Sequence, residues 1–139
     1  MKTINGENLS IEDVCDVAYK KEEIRLPYDK SFRALLEKSR KFLIDYIKTG
    51  VPTYGVTTDF GDSCANQISV EKAGELQRDI VTYHGIGLGA KFDHETGRAV
   101  VLCRLNGNVK GGHSAIRPEL ADMLVALLNR DIIPVIPQL

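Results

Sequence analysis

The sequence is short of cysteine, and its apolar runs are short. Cys15, Cys64 and Cys103 are its three cysteines, widely spaced and without a CxxC pair. An odd, scattered set of this kind excludes a disulfide framework and points to a reducing, cytoplasmic setting. No apolar stretch approaches the roughly 20 residues needed to cross a bilayer, which excludes a membrane-spanning helix. The first ten residues are polar and hold no apolar signal region. Charge of one sign is also missing: the formal net charge is -1. That balance gives no electrostatic reason to expect nucleic acid or an acidic membrane surface as partner. Internal repeats, low-complexity segments and obvious linkers are absent.

Chemical signatures are missing as well. His84, His94 and His113 match no usual metal spacing, so no metal is expected. The glycines of Gly85-x-Gly-x-Gly89 follow a helical pattern rather than a strand, and no Gly-Lys-Ser/Thr occurs, which excludes a nucleotide cradle. No Ser/His/Asp or Cys/His arrangement stands out, nor does any carboxylate pair.

What is present is a soluble, globular composition, with 43% hydrophobic and 27% charged residues over 139 positions, the length of one ordinary domain. Ser10 with Asp13 three residues on makes a capping-box pattern ahead of Ile11, Val14, Cys15 and Ala18, predicting a short helix. Leu26-Pro27-Tyr28 is a break. Phe32, Leu35, Leu36, Leu43 and Ile47 form an apolar stripe that predicts a helix from about Lys30 to Lys48, ending at Gly50. A third helix is expected over Val70 to Tyr83, with Ala73, Leu76, Gln77, Ile80, Val81 and His84 on one face. A fourth is expected over Glu95 to Val109, with Ala99, Leu102, Cys103 and Val109 inward. Gly111-Gly112 breaks it. Pro118 sits where N1 prolines sit, and Leu120, Met123, Leu124, Leu127 and Leu128 continue the pattern. The tail Ile132 to Pro137 reads as apolar and extended. The fold class is therefore mainly α.

Between the second and third helices lies a small, polar, glycine-bearing loop, Tyr54-Gly-Val-Thr-Thr-Asp-Phe-Gly61. Glycine belongs where the backbone takes positive φ or a ligand must come close. A tyrosine there can present its phenol to a site. The plainer alternative is a packed surface loop anchored by that ring. His84, at the end of an apolar stripe, equally suits a helix C-terminus through the macrodipole alone.

The same residues resemble a known family. Tyr54 to Gly61 looks like the tyrosine loop of the histidine, phenylalanine and tyrosine ammonia-lyases and the related aminomutases. Leu76-Gln-Arg-Asp-Ile-Val-Thr-Tyr-His84 is similar to the helix that follows it. Gly112 to Glu119, Leu127-Leu-Asn129, Pro134 to Pro137 and the opening Ile4-Asn-Gly-Glu-Asn-Leu-Ser10 resemble further stretches in the same order. The resemblance implies that residues 1–139 are the N-terminal helical domain of the ammonia-lyase fold. It implies elimination of ammonia from an aromatic L-amino acid, histidine or tyrosine, to an α,β-unsaturated acid. A 2,3-aminomutase and a non-catalytic assembly module on the same scaffold are the alternatives.

By that resemblance Tyr54 is the catalytic acid–base, supported by Gly55, Thr57, Thr58, Phe60 and Gly61. An unperturbed phenol, with pKa about 10, needs help from its surroundings to act as a base at neutral pH. His84 and Tyr83 would meet the substrate's ring. Asp59 stands where the family usually has glycine and could meet a cationic substrate group or face solvent. The implied cofactor is a methylidene-imidazolone group formed from an Ala-Ser-Gly tripeptide, and no such tripeptide occurs in this sequence. A homotetramer, and a C-terminal remainder or second chain carrying the tripeptide, are the implied partners; these residues alone should be inactive.

Overall fold

The computed structural model describes residues 1–83 and 85–139. The chain forms two compact units, Met1–Lys41 with Leu88–Leu139, and Phe42–Gly87. Among the described residues five α-helices run in order: α1 (Ile11–Tyr19), α2 (Lys30–Ile47), α3 (Ala73–Tyr83), α4 (His94–Val109) and α5 (Pro118–Asn129). The mainly α expectation holds. A short parallel pair, β1 (Lys2–Thr3) with β2 (Ile24–Arg25), was not anticipated, because two residues are too few to show an alternating pattern.

The larger unit is built around α4, which packs against α1 and α5. Leu102, Leu105 and Val109 recur every three or four residues, Val101 lies one turn before Leu105, and all four are buried with Ile4, Val17, Ile24, Leu36, Ile116, Ala121 and Leu128. Cys103 was expected inward and is exposed, since it lies about 100° around the helix from Leu102. Cys15 of α1 is also exposed, and Ile11 lies in the solvent-facing first turn. In α5, Leu120 and Met123 are also exposed, and Ala121 and Leu128 hold the inward face.

Local chemistry fixes the helix ends. Ser10 Oγ accepts the Asp13 N–H at 3.1 Å and Asp13 accepts the Ser10 N–H at 3.0 Å, completing the capping box. Asp93 caps α4 by accepting the Thr96 N–H at 2.7 Å. α5 begins at Pro118 and ends in a Schellman motif. The Ile132 N–H donates to the Leu127 carbonyl at 2.9 Å, the Asp131 N–H to Leu128 at 3.2 Å, and Asp131 takes a left-handed φ of 58°. The Asn129 side chain then clamps β2. It accepts the Ile24 N–H at 2.9 Å and donates to the Ile24 carbonyl at 2.8 Å, acting as a neighbouring strand would.

One charge is buried in this unit. Arg98 is 2% exposed. Its guanidinium donates to the carbonyls of Val17, at 3.0 and 2.9 Å, and of Leu128, at 3.0 Å, near the C-terminal ends of α1 and α5. A cation there meets the negative ends of two helix dipoles. It also pairs with Asp131 at 2.7 Å, and Asp131 accepts Lys21 at 2.5 Å and meets His94 at 2.7 Å. Lys21 and then His94 hold the Asp131 carboxyl well below the usual carboxylate range. Gly97 lets the tail cross α4: a Cβ there would stand 2.8 Å from Ile133 Cγ2. The tail is extended, as expected, and returns to pair with residues 88–92, the Phe92 N–H donating to Ile136 at 2.9 Å.

The smaller unit holds the end of α2, the intervening loop and α3. Its helix starts at Ala73 rather than Val70, because residues 69–72 form turns on the Ser69 carbonyl. Ala73 and Leu76 are buried, whereas Val81, expected inward, is exposed. Among the described residues no helix is long and apolar enough to cross a membrane.

Candidate active site

The loop that the sequence singles out folds back on itself. The Val56 and Thr57 N–H groups donate to the Thr53 carbonyl at 3.0 and 2.9 Å, making a tight turn through Tyr54 and Gly55. Gly55 and Gly61 take positive φ, 68° and 60°, as glycine permits. A side chain at Gly55 would also strike Phe60, with a Cβ only 2.9 Å from Cε1.

The two threonines are structural. Thr57 and Thr58 are buried, which is unusual for polar residues in a loop, and their hydroxyls are satisfied within it. Thr57 Oγ1 accepts the Thr53 N–H at 2.9 Å. Thr58 Oγ1 accepts the Gly55 N–H at 3.2 Å and donates to the Asp59 carbonyl at 2.9 Å. The returning strand is tied down by Ile68 N–H to Thr57 at 2.8 Å and Asp59 N–H to Asn66 at 3.1 Å.

On this base stands Tyr54. Its ring meets Phe60 edge-on, with centroids 6.0 Å apart and planes at 81°. Its phenol oxygen accepts the Gly61 N–H at 3.1 Å. The tyrosine is 63% exposed, so it is not a buried anchor. Asp59, Phe60, Gly61, Ser63 and Tyr83 line an open cavity of about 390 Å³. Thus Tyr83 and the partly buried Asp59 share a cavity with the glycine that holds the Tyr54 oxygen. The Asp59 carboxylate also accepts Asn66 Nδ2 at 3.3 Å. His84 lies outside the described residues.

Two hydrogen bonds of the loop were not legible in the sequence. The Gly61 backbone as donor to Tyr54 carries no side-chain signal. Gln77, on α3, donates from Nε2 to the Gly55 carbonyl at 2.8 Å, although its position in the helical pattern suggested only a place on the apolar face. Among the described residues, no group of three or more histidine, cysteine and acidic side chains could hold a metal ion.

The chain as a whole is similar to known proteins. The pattern of the family described as aromatic amino acid lyase matches residues 9–139. A histidine ammonia-lyase of Treponema denticola is 38% identical over 136 residues, covering 98% of this chain and 26% of its own. An MIO-dependent tyrosine 2,3-aminomutase of Streptomyces globisporus is 36% identical over 137 residues, 99% of this chain and 25% of the relative. The crystal structure of tyrosine aminomutase from that organism superposes with a TM-score of 0.91 at 36% identity, over 99% of this chain and 26% of that one. The chain spans about a quarter of the length of these relatives. A match over nearly all its residues, in both sequence and backbone, establishes that the chain belongs to the aromatic amino acid lyase family.

Proposed function

We propose that this chain supplies the acid–base tyrosine of an ammonia-lyase that eliminates ammonia from an aromatic L-amino acid, histidine or tyrosine, to give an α,β-unsaturated acid. The observation that carries the proposal is the Tyr54 phenol oxygen held by the Gly61 N–H at 3.1 Å beside an open cavity. Elimination needs a base for a weakly acidic β-proton. A backbone donor aimed at the phenol oxygen supports negative charge there, and it costs no reorganisation when the proton moves. Thr57, Thr58 and the positive-φ glycines set the base in place before substrate arrives. Tyr83 and Asp59 line one cavity, which supports a role for them in reading a substrate ring, and His84 follows Tyr83 in the chain. Asp59 would favour a ring bearing a proton donor or positive charge.

The family's methylidene-imidazolone group supplies an electrophile that makes the substrate amine a better leaving group. Its Ala-Ser-Gly source is absent from these 139 residues, so they cannot form it. We therefore assign this chain the base and assign the electrophile to a polypeptide region outside it, in a cytoplasmic homotetramer. The chain alone would then be inactive. Exposed Phe42, Val81, Ile86, Leu88 and Leu139 support surfaces that such partners cover.

The second reading is a 2,3-aminomutase, favoured by the match to the Streptomyces globisporus enzyme. Incubating the assembled protein with histidine and with tyrosine, and identifying the products, separates the two. Unsaturated acid with ammonia marks the lyase; β-amino acid marks the mutase. Tyr54→Phe should abolish either product while leaving the helical circular dichroism unchanged. Full turnover by that variant would refute the assignment.

A further inference from the structure

The residue that follows Tyr54 is gripped on both sides. The Gly55 N–H donates to Thr58 Oγ1 at 3.2 Å, and the Gly55 carbonyl accepts Gln77 Nε2 at 2.8 Å. The first grip is internal to the loop. The second comes from α3, a regular helix with a register of its own. Gln77 is exposed, so its amide is not needed to satisfy a buried group. Its neighbour Leu76 is buried and fixes the rotation of the helix. The same helix ends at Tyr83, a wall of the cavity beside Gly61.

We propose that Gln77 is a positioning residue that ties the tyrosine loop to α3, so that Tyr54 and the cavity wall at Tyr83 are held as one rigid constellation. The inference rests on the acid–base reading of Tyr54, but the clamp itself does not require it. Without Gln77, Thr53, Thr57 and Thr58 still close the turn, but its placement on α3 loses this hydrogen bond. A base on a loosened loop spends less time in the reactive geometry, so catalysis suffers more than binding.

The test uses three forms of the assembled protein: unmodified, Gln77→Leu, which keeps the volume and loses the donor, and Gln77→Lys, which restores a donor at similar reach. Amide hydrogen exchange of residues 53–61 reads the clamp independently of any reaction. We expect Gln77→Leu to raise exchange there about tenfold, with α4 unchanged, and Gln77→Lys to recover most of the protection. In turnover assays kcat should fall about tenfold in Gln77→Leu with KM within about threefold, and should be partly rescued in Gln77→Lys. Unchanged loop exchange in Gln77→Leu would overturn the clamp, and raised exchange with unchanged kcat would overturn its positioning role. If the unmodified protein turns over no aromatic amino acid, the lyase reading fails, and the exchange comparison alone decides the clamp.

Discussion

The Tyr54 phenol oxygen and the Gly61 backbone N–H meet at 3.1 Å, linking the two ends of the loop that the sequence marked out by its glycines. Gly61 has a φ of 60°, and a Cβ there would meet nothing within 4 Å. Its replacement therefore tests backbone conformation and not space. Alanine in this region costs about 1–2 kcal/mol, which the exposed loop can relieve by turning the N–H away from the phenol. Asparagine visits the same region more readily. Gly61→Ala should lower kcat at least tenfold with little change in melting temperature, and Gly61→Asn should retain most of the rate. Equal activity in both would mean that this N–H does not serve the base.

That relationship also shows what could and could not be read in advance. Gly55 and Gly61 were legible because glycine permits positive φ, whereas the residues alone left the Tyr54 ring open between a presented phenol and a packed anchor. Thr57 and Thr58 were legible as loop residues, but their burial was not, since it depends on Thr53 and Gly55 folding back upon them. The apolar spacing located helices α2 and α5, but Leu35, Leu120 and Met123 of those stripes are exposed. Errors arose where a stripe was read too broadly: Cys15, Cys103 and Val81 lie at the edge of the pattern and face outward. The β1–β2 pair joins residues 22 positions apart and the Asn129 clamp residues 105 apart, and no local pattern encodes either.

Arg98 shows the same gap in energetic form. An arginine among apolar residues reads as a surface position, yet it is buried on the carbonyls of Val17 and Leu128. Arg98→Met would fill much of the space, but would leave the Val17 carbonyl without its arginine donor, the Leu128 carbonyl with backbone donors alone, and Asp131 without one cation. The expected loss is about 2–4 kcal/mol, because an orphaned buried acceptor keeps its full desolvation cost and a buried ion pair is broken. Urea unfolding monitored by circular dichroism measures it. A midpoint within error of the parent would show that helix-end carbonyls find other donors.

Acid should expose the same hub. Lys21 and His94 lower the folded-state pKa of Asp131, so its stabilisation is fully present above the unfolded value, about pH 4. It is lost as pH falls below that toward the folded value. Asp13, lowered by Lys2 and the capping box, and Asp93, lowered by Thr96, act in the same direction. Urea midpoints should therefore be flat from pH 7 to 5 and decline steeply below about pH 4. In Asp131→Asn the midpoint should be lower at pH 7 and the acid decline shallower. A parallel decline in parent and variant would remove Asp131 from the account.

The opening segment offers a purely steric test. Gly6 has a φ of 87°, and a Cβ on it would lie 2.3 Å from Lys110 Cα and 2.6 Å from Lys110 N. Those are backbone atoms at the end of α4, so they cannot rotate aside. The Gly6 N–H is also tied to Asn106 Oδ1 at 3.1 Å, which fixes its approach to the helix. Gly6→Ala must therefore break that bond and lift residues 5–7 off α4, pulling on the adjacent Ile4 and the β1–β2 pair. Strain and clash together should cost about 3 kcal/mol. The loss should fall on the larger unit, with faster amide exchange at Lys2 and Ile4, whose N–H groups pair with β2 and its flank. Exchange within residues 53–61 should stay as it was, since no strand bond of that segment is touched. If Gly6→Ala instead melts with the parent and leaves Ile4 protected, the close approach of Gly6 to α4 does not hold the first strand in place.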